Sequence, residues 1–201
     1  MQRNEFDAAK KVLNNSGIVA FPTETVMGLG VFYDDYEAYQ FLNSVKRRPE
    51  EKPYTLMVSG VSEISKYAYV DDRARKVIDA FMPGEITILL RSKDNVPGYV
   101  THDTGIIGIR VPNLPELLEF LSFIKKPLLV PSANRSGDAP LKNSEEVEKV
   151  FSKEEVGYIF KGKAIGGVPS TLVDLTGKEV KIYREGNIKL SDIIKVIEEE
   201  K

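Results

Sequence analysis

Gly17-Ile18-Val19-Ala20-Phe21-Pro22-Thr23-Glu24-Thr25 is the stretch on which the reading of the fold turns. The first five residues are apolar, partly β-branched and too few for a helix, and they are cut off by a proline and three polar side chains. This pattern predicts a buried strand over Gly17 to Phe21 that presents Thr23, Glu24 and Thr25 at its carboxyl end. In open α/β sheets that end is where ligands are held.

On the amino-terminal side, Phe6, Ala9, Val12 and Leu13 recur at helical spacing, with Asn4 expected as the cap and Gly17 as the left-handed residue after the helix. On the carboxyl side, Asp34 or Asp35 is expected to cap a helix through Ala38, Phe41, Leu42 and Val45. Its last turn delivers Lys46, Arg47 and Arg48 ahead of Pro49. Further helices are expected over Ser62 to Tyr69, Asp71 to Phe81, Pro115 to Lys125, Ser144 to Phe151 and Ser191 to Glu200. The expected strands are Tyr54 to Val58, Ile86 to Leu90, Ile106 to Val111, Pro127 to Val130, Gly157 to Phe160, Thr171 to Leu175 and Val180 to Arg184.

Helices and strands alternate, but strands follow one another after Gly157. That irregularity favours an α/β fold with a twisted mixed sheet, flanking helices and hairpins near the carboxyl terminus, rather than a purely parallel sheet. No repeat, linker or composition shift divides the chain, so residues 1–201 are expected to form a single domain. Gly162 to Pro169 reads as a mobile glycine-rich loop.

Composition narrows the function. Hydrophobic residues at 42% beside 29% charged ones describe a chain that folds, not a disordered one. With 28 basic and 30 acidic residues the net charge is −2, which is unlike the footprint of a protein that grips nucleic acid by its phosphates. The absence of cysteine excludes disulfides, thiolate nucleophiles and Cys-ligated zinc, and fits a cytoplasmic protein. Met1 to Ser16 is too charged for a signal peptide, and the longest apolar runs, such as Ile86 to Leu90, fall far short of the roughly 20 residues that cross a bilayer. No membrane association is expected.

Three familiar motifs fail. Gly157 to Ala164 nearly spells a phosphate-binding loop, but Ala164 replaces the hydroxyl that would meet magnesium. Gly28-Leu29-Gly30 lacks the third glycine of a dinucleotide fingerprint, since Tyr33 stands there. His102 is the only histidine, and it reads as a solvated loop residue.

What remains is three clusters, each following an apolar element: Thr23-Glu24-Thr25, Lys46-Arg47-Arg48 and Ser132-Ala133-Asn134-Arg135-Ser136-Gly137. Hydroxyls, an amide, backbone N–H groups and cations together suit a polyphosphate, whose oxygens only accept hydrogen bonds and carry concentrated negative charge. Singly, each cluster has an ordinary structural use, in turns or as cations complementing a helix dipole.

In combination they carry a resemblance. Pro22-Thr23-Glu24-Thr25-Val26-Met27-Gly28-Leu29, Lys46-Arg47-Arg48-Pro49 and Pro131 to Gly137 resemble, in order, signatures of the TsaC/YrdC family. The likeness continues through Met82 to Thr87, Gly108-Ile109-Arg110-Val111-Pro112, Pro169 to Asp174 and Tyr183-Arg184-Glu185-Gly186. It implies a YrdC-like twisted sheet enclosing a concave, positively lined cavity, in the family's short form without an added carboxyl-terminal domain. It also implies an L-threonylcarbamoyladenylate synthase. Such an enzyme joins L-threonine, bicarbonate or CO2, and ATP, releasing pyrophosphate, to make the donor for threonylcarbamoyladenosine in tRNA.

The resemblance implies roles as well. Lys46 would meet phosphate oxygens, while Arg48 would grip the threonine carboxylate or the carbamate. Ser132, Asn134 and Arg184 would hold the nucleotide, and Thr23 and Ser170 would line the threonine and nucleotide pocket. Arg47 is expected to face solvent, and Arg110 either to join the cavity or to brace loops through carboxylates. Mg2+ is expected on the triphosphate with no protein metal site of its own, Glu24 being only a weak ligand candidate. A downstream tRNA-modifying threonylcarbamoyl transferase is the implied partner, with at most weak direct tRNA binding. Met27 and Met57 depart from the family's usual tyrosine and occasional histidine, which leaves the choice among small amino acids open. Two rival readings are a non-catalytic RNA-binding module of the same fold, disfavoured by the acidic net charge, and a carbamoyl-adenylate-forming enzyme, disfavoured by the lack of accessory domains.

Overall fold

The computed structural model describes residues 1–47 and 53–199. In chain order the elements are α1 (Phe6–Asn14), β1 (Val19–Phe21), β2 (Gly28–Phe32), α2 (Tyr36–Lys46), β3 (Thr55–Met57), α3 (Ile64–Tyr67), α4 (Asp72–Phe81) and β4 (Ile86–Arg91). They continue with α5 (Gly98–Thr101), β5 (Ile106–Arg110), α6 (Pro115–Ile124), β6 (Leu128–Val130), α7 (Ser144–Val150), β7 (Tyr158–Ile159), β8 (Thr171–Asp174), β9 (Lys181–Arg184) and α8 (Leu190–Glu198). The strands form one mixed sheet in the order β7-β1-β2-β6-β3-β5-β4-β8-β9. Pairs β1–β7, β3–β5 and β4–β8 are parallel and the rest antiparallel. The expected mixed α/β architecture is therefore found.

Local chemistry explains most boundaries. Asp35, rather than Asp34, caps α2 by accepting from the Ala38 N–H at 2.9 Å, and Asp71 caps α4 through Ala74 at 2.7 Å. Pro115 opens α6, where its missing N–H costs nothing. At the amino terminus a 3-10 turn, Arg3–Glu5, runs into α1, so Asn4 lies within that turn and Gln2 occupies the cap position. The left-handed residue after α1 is Ser16, at φ 55°, not Gly17. Gly17 is needed for closeness instead: a Cβ there would stand 2.7 Å from Val12 Cγ1 and 2.9 Å from Val12 O.

Two elements depart from the expected set. The short helix α5 forms where no helix is predicted. Strand β2 is fully buried although its two glycines argue against a strand. The glycines make room for a ring: a Cβ on Gly28 would lie 3.1 Å, and one on Gly30 2.7 Å, from atoms of the Phe21 side chain. The expected hairpin region also resolves differently. β8 and β9 do pair antiparallel, but β7 crosses to the far edge and runs parallel to β1.

Strand alternation sorts the core into two layers. On one face Val19, Phe21, Phe32 and Leu128 pack beneath Phe6 and Leu13 of α1 and Leu117, Phe120 and Leu121 of α6. Phe6 meets Phe120 edge-on at 5.2 Å, a geometry worth about 0.5–1.5 kcal/mol beyond burial. On the opposite face Ala20, Leu29, Val31, Leu56, Ile88, Ile109 and Val173 pack against α2, α4 and α8. Among the described residues, the apolar cluster under α1 and α6 includes no side chain of β4, β5, β8 or β9. That part of the sheet face is left open, and the site lies there.

Candidate active site

The open face forms a cleft of ≈ 680 Å³. Register explains which side chains reach it. Met57 pairs with Arg110, Thr55 with Gly108, Gly108 with Leu89, Thr87 with Leu172, and Leu172 with Arg184. Partners across a ladder share a face, so Thr55, Met57, Leu89, Arg110, Leu172 and Arg184 all line the cleft. The loop after β1 adds Thr23 and Thr25, the loop after β6 adds Ser132, and the approach to β8 adds Ser170.

Each loop is held by its own polar atoms. Thr23 Oγ1 accepts from the Thr25 and Val26 N–H groups at 3.1 and 3.2 Å and donates to Val26 O at 2.7 Å, tying the strand end into a tight turn. It also sits 2.8 Å from Thr25 Oγ1, which accepts from Arg110 Nη2 at 3.1 Å. Arg110 Nη2 lies 2.7 Å from Glu24 Oε1, and both side chains of this ion pair are 7% exposed. Glu24 Oε1 accepts the Asn113 N–H at 2.9 Å as well. Arg110 thus does both things expected as alternatives: it braces a loop through a carboxylate and it lines the cleft.

Lys46 lies behind the cleft. Its Nζ donates to Ser132 O at 2.6 Å, Asn134 O at 2.7 Å and Asn134 Oδ1 at 3.3 Å, and its own carbonyl accepts the Ser136 N–H at 2.8 Å. Lys46 is 1% exposed and does not line the cleft itself; what it holds is the loop that presents Ser132. Asn134 Oδ1 also accepts from Ser132 Oγ at 2.6 Å, while its Nδ2 donates to Arg135 O and Asp138 O. Of the Ser-x-Asn pair, Ser132 faces the cleft and Asn134 shapes the turn beneath it. Arg47 is exposed with a left-handed backbone at φ 51°. Arg48 lies outside the described residues.

On the far wall Arg184 donates from Nε to Ser170 O at 2.9 Å and from Nη2 to Ser170 Oγ at 3.2 Å, and Ser170 Oγ lies 3.0 Å from Thr87 Oγ1. Burial and the nearby positive charge of Arg110 push the Arg184 pKa below its ordinary value. Two guanidinium groups therefore face one cleft, and only Arg110 has a carboxylate partner among the described residues. An anionic ligand would relieve that repulsion.

Of the residues expected from sequence, Thr23, Ser132, Ser170 and Arg184 meet in this cleft, with Lys46 and Asn134 directly behind Ser132. Both departures, Met27 and Met57, line it too. Sequence reading missed Tyr54 and Tyr183 and did not single out Thr25 from its cluster. A bulge in β9, described below, governs Tyr183, and no local sequence signal announces it.

The profile of the Sua5/YciO/YrdC family, described as "Telomere recombination", matches residues 11–186. The chain belongs to the Sua5/YciO/YrdC family. A Methanocaldococcus jannaschii member, provisionally named a threonylcarbamoyl-AMP synthase, is 36% identical over 184 residues, covering 92% of this chain and 86% of that protein. The crystal structure of Pyrococcus abyssi Sua5 complexed with L-threonine superimposes with a TM-score of 0.93 at 28% identity, covering 98% of this chain. This chain spans only 58% of that protein. Escherichia coli YciO, whose name states no activity, superimposes with a TM-score of 0.88 at 27% identity over 96% of this chain and 94% of its own. The match to the family profile takes in every cleft residue named above.

Proposed function

We propose that this chain is a threonylcarbamoyl-AMP synthase, an ATP-dependent nucleotidyltransferase that forms an adenylate from L-threonine, bicarbonate or CO2, and ATP. The observation that carries this reading is the convergence of Arg110, Arg184, Thr23, Ser132 and Ser170 on one cleft in a family whose members include proteins named for that activity. A family member's complex with L-threonine supports the amino-acid substrate.

In this scheme the free threonine amine adds to CO2 and releases a proton to solvent, giving a carbamate. A carbamate oxygen attacks the α-phosphorus of ATP, a new P–O bond forms, and the bond to the β-phosphate oxygen breaks to release pyrophosphate. Such transfer depends on alignment and charge stabilisation, so guanidinium groups and hydroxyls serve it without a tuned base. Arg110, anchored by Glu24, presents a fixed positive charge to the threonine carboxylate or carbamate. Arg184, Ser132 and Ser170 hold phosphate oxygens, and Lys46 and Asn134 keep the Ser132 loop in shape while adding positive potential behind it. The direct contact of Arg48 with the amino acid rests on the family resemblance. Met27 and Met57 offer an apolar wall to the threonine methyl group.

Among the described residues no cluster of three His, Cys, Asp or Glu side chains is placed to hold a metal ion, and Glu24 directs its Oε1 to Arg110 and Asn113. Magnesium would therefore arrive with the triphosphate and take its ligands from phosphate and water. No described helix is long and apolar enough to cross a membrane. We place the enzyme in the cytoplasm, passing its product to a separate tRNA-modifying transferase, with at most weak contact to tRNA itself.

The test supplies ATP, magnesium, bicarbonate and one amino acid at a time, and reads pyrophosphate release and the mass of the product. Threonine-dependent release with a threonylcarbamoyl-AMP mass is the expected result, and serine should be used less well. Turnover with carbamoyl phosphate instead of threonine, or salt-sensitive RNA binding without turnover, would replace this reading.

A further inference from the structure

On a regular strand consecutive side chains point to opposite faces, yet Tyr183 and Arg184 both line the cleft. The ladder between β8 and β9 shows how. Val173 pairs with Ile182 and Leu172 with Arg184, so Tyr183 is an extra residue with no partner across. Ile182 packs against the helix-side core beside Val173, which leaves Tyr183 on the cleft side. The bulge then turns Arg184 back to that same side instead of letting it alternate away.

The result is an aromatic ring beside a guanidinium at the cleft's rim. Two aromatic residues line the cleft, and they differ in availability. Tyr54 is 4% exposed, its ring meets Tyr39 at 5.8 Å, and its hydroxyl donates to Asn43 Oδ1 at 2.5 Å. Tyr183 is 65% exposed, and among the described residues its ring meets no other ring and its hydroxyl makes no hydrogen bond. An exposed, uncommitted ring at the mouth of a ligand cleft, next to the Arg184 guanidinium, is suited to a ligand with a flat π-face joined to an anion. The opposite end, around Thr23, Thr25 and Arg110, is buried and dense in hydrogen bonds, and suits a small zwitterion instead.

We infer that Tyr183 is a nucleotide-selecting residue, its ring stacking on the base of the triphosphate while Arg184 engages the phosphates. This rests on the reading of the cleft as a site for ATP and an amino acid. It adds which end takes the base, and it assigns the β9 bulge the task of setting base and phosphate recognition side by side.

The test compares wild type with Tyr183→Phe, Tyr183→Leu and Tyr183→Ala by calorimetric titration of ATP with magnesium, and separately of CTP. Because the ring is exposed, all four proteins should melt alike. Base stacking of this kind predicts that Leu and Ala variants bind ATP about tenfold more weakly, whereas Phe retains the affinity. The loss should appear in the KM for ATP rather than in kcat at saturating nucleotide, and the preference for ATP over CTP should shrink in the Leu variant. If Tyr183→Leu binds ATP as wild type does while adenylate still forms, stacking is refuted and the enzymatic reading stands. If Phe loses as much as Leu, the hydroxyl and not the ring acts, which also refutes it. Failure of the wild type to bind ATP overturns both readings together.

Discussion

Replacing Lys46 with alanine should lower adenylate formation by about 10²–10³-fold, the range seen when a pre-aligned electrostatic donor is removed from a transition state that gathers charge. The ammonium group holds Ser132 O, Asn134 O and Asn134 Oδ1 at once, so its loss removes a positive charge and also frees the loop that presents Ser132. Asn134 Oδ1 would keep its bond from Ser132 Oγ, but Ser132 O and Asn134 O would lose this donor, at a cost of about 1–3 kcal/mol per unsatisfied group, so thermal stability should fall as well. Lys46→Met, which keeps the apolar stem, separates the two effects: it should recover part of the melting temperature and none of the turnover. Single-turnover kinetics beside thermal melts read both quantities. Turnover in Lys46→Met within a few fold of wild type would remove Lys46 from the proposed machinery.

Arg110→Ala should be the more destabilising change. It leaves the Glu24 carboxylate 7% exposed with its partner gone, and breaking a buried ion pair in this way costs about 3–5 kcal/mol. In a chain of this size that corresponds to a drop in melting temperature on the order of 10 °C. The double variant Glu24→Gln, Arg110→Met removes both charges and should regain much of the stability, since two neutral side chains no longer strand a charge. It should not regain threonine binding, because the cleft has lost one of the two guanidinium groups that face it among the described residues. Equal melting of Arg110→Ala and wild type would show that the pair does not brace the strand-end loop.

How much of this was legible in the sequence depends on the distance over which the cause acts. The helices announce themselves through short-range signals: Asp35, Asp71 and Pro115 start elements where sequence reasoning puts them, because caps act within one turn. β2 did not, because the glycines that lower its propensity are required by Phe21, a residue on the neighbouring strand. The parallel pairing of β7 with β1 is equally invisible locally, being set by a crossover of more than a hundred residues. The site shows the same division. Thr23, Ser132, Ser170 and Arg184 were recognisable from ordered motifs, and the register of β3, β5, β4, β8 and β9 brings their walls together. That Lys46 lies behind the loop follows from the burial of a helix end, and that Tyr183 shares a face with Arg184 follows from one extra residue in a ladder.

The central claim is that one cleft holds an adenine nucleotide and an amino acid side by side. Crystals grown with magnesium, L-threonine and a non-hydrolysable ATP analogue test it most directly. The amino acid should lie at the Thr23–Arg110 end, the phosphates against Ser132, Ser170 and Arg184, and the base at the Tyr183 rim. A nucleotide bound on the helix-covered face, or a cleft that stays empty while the protein turns over in solution, would contradict it.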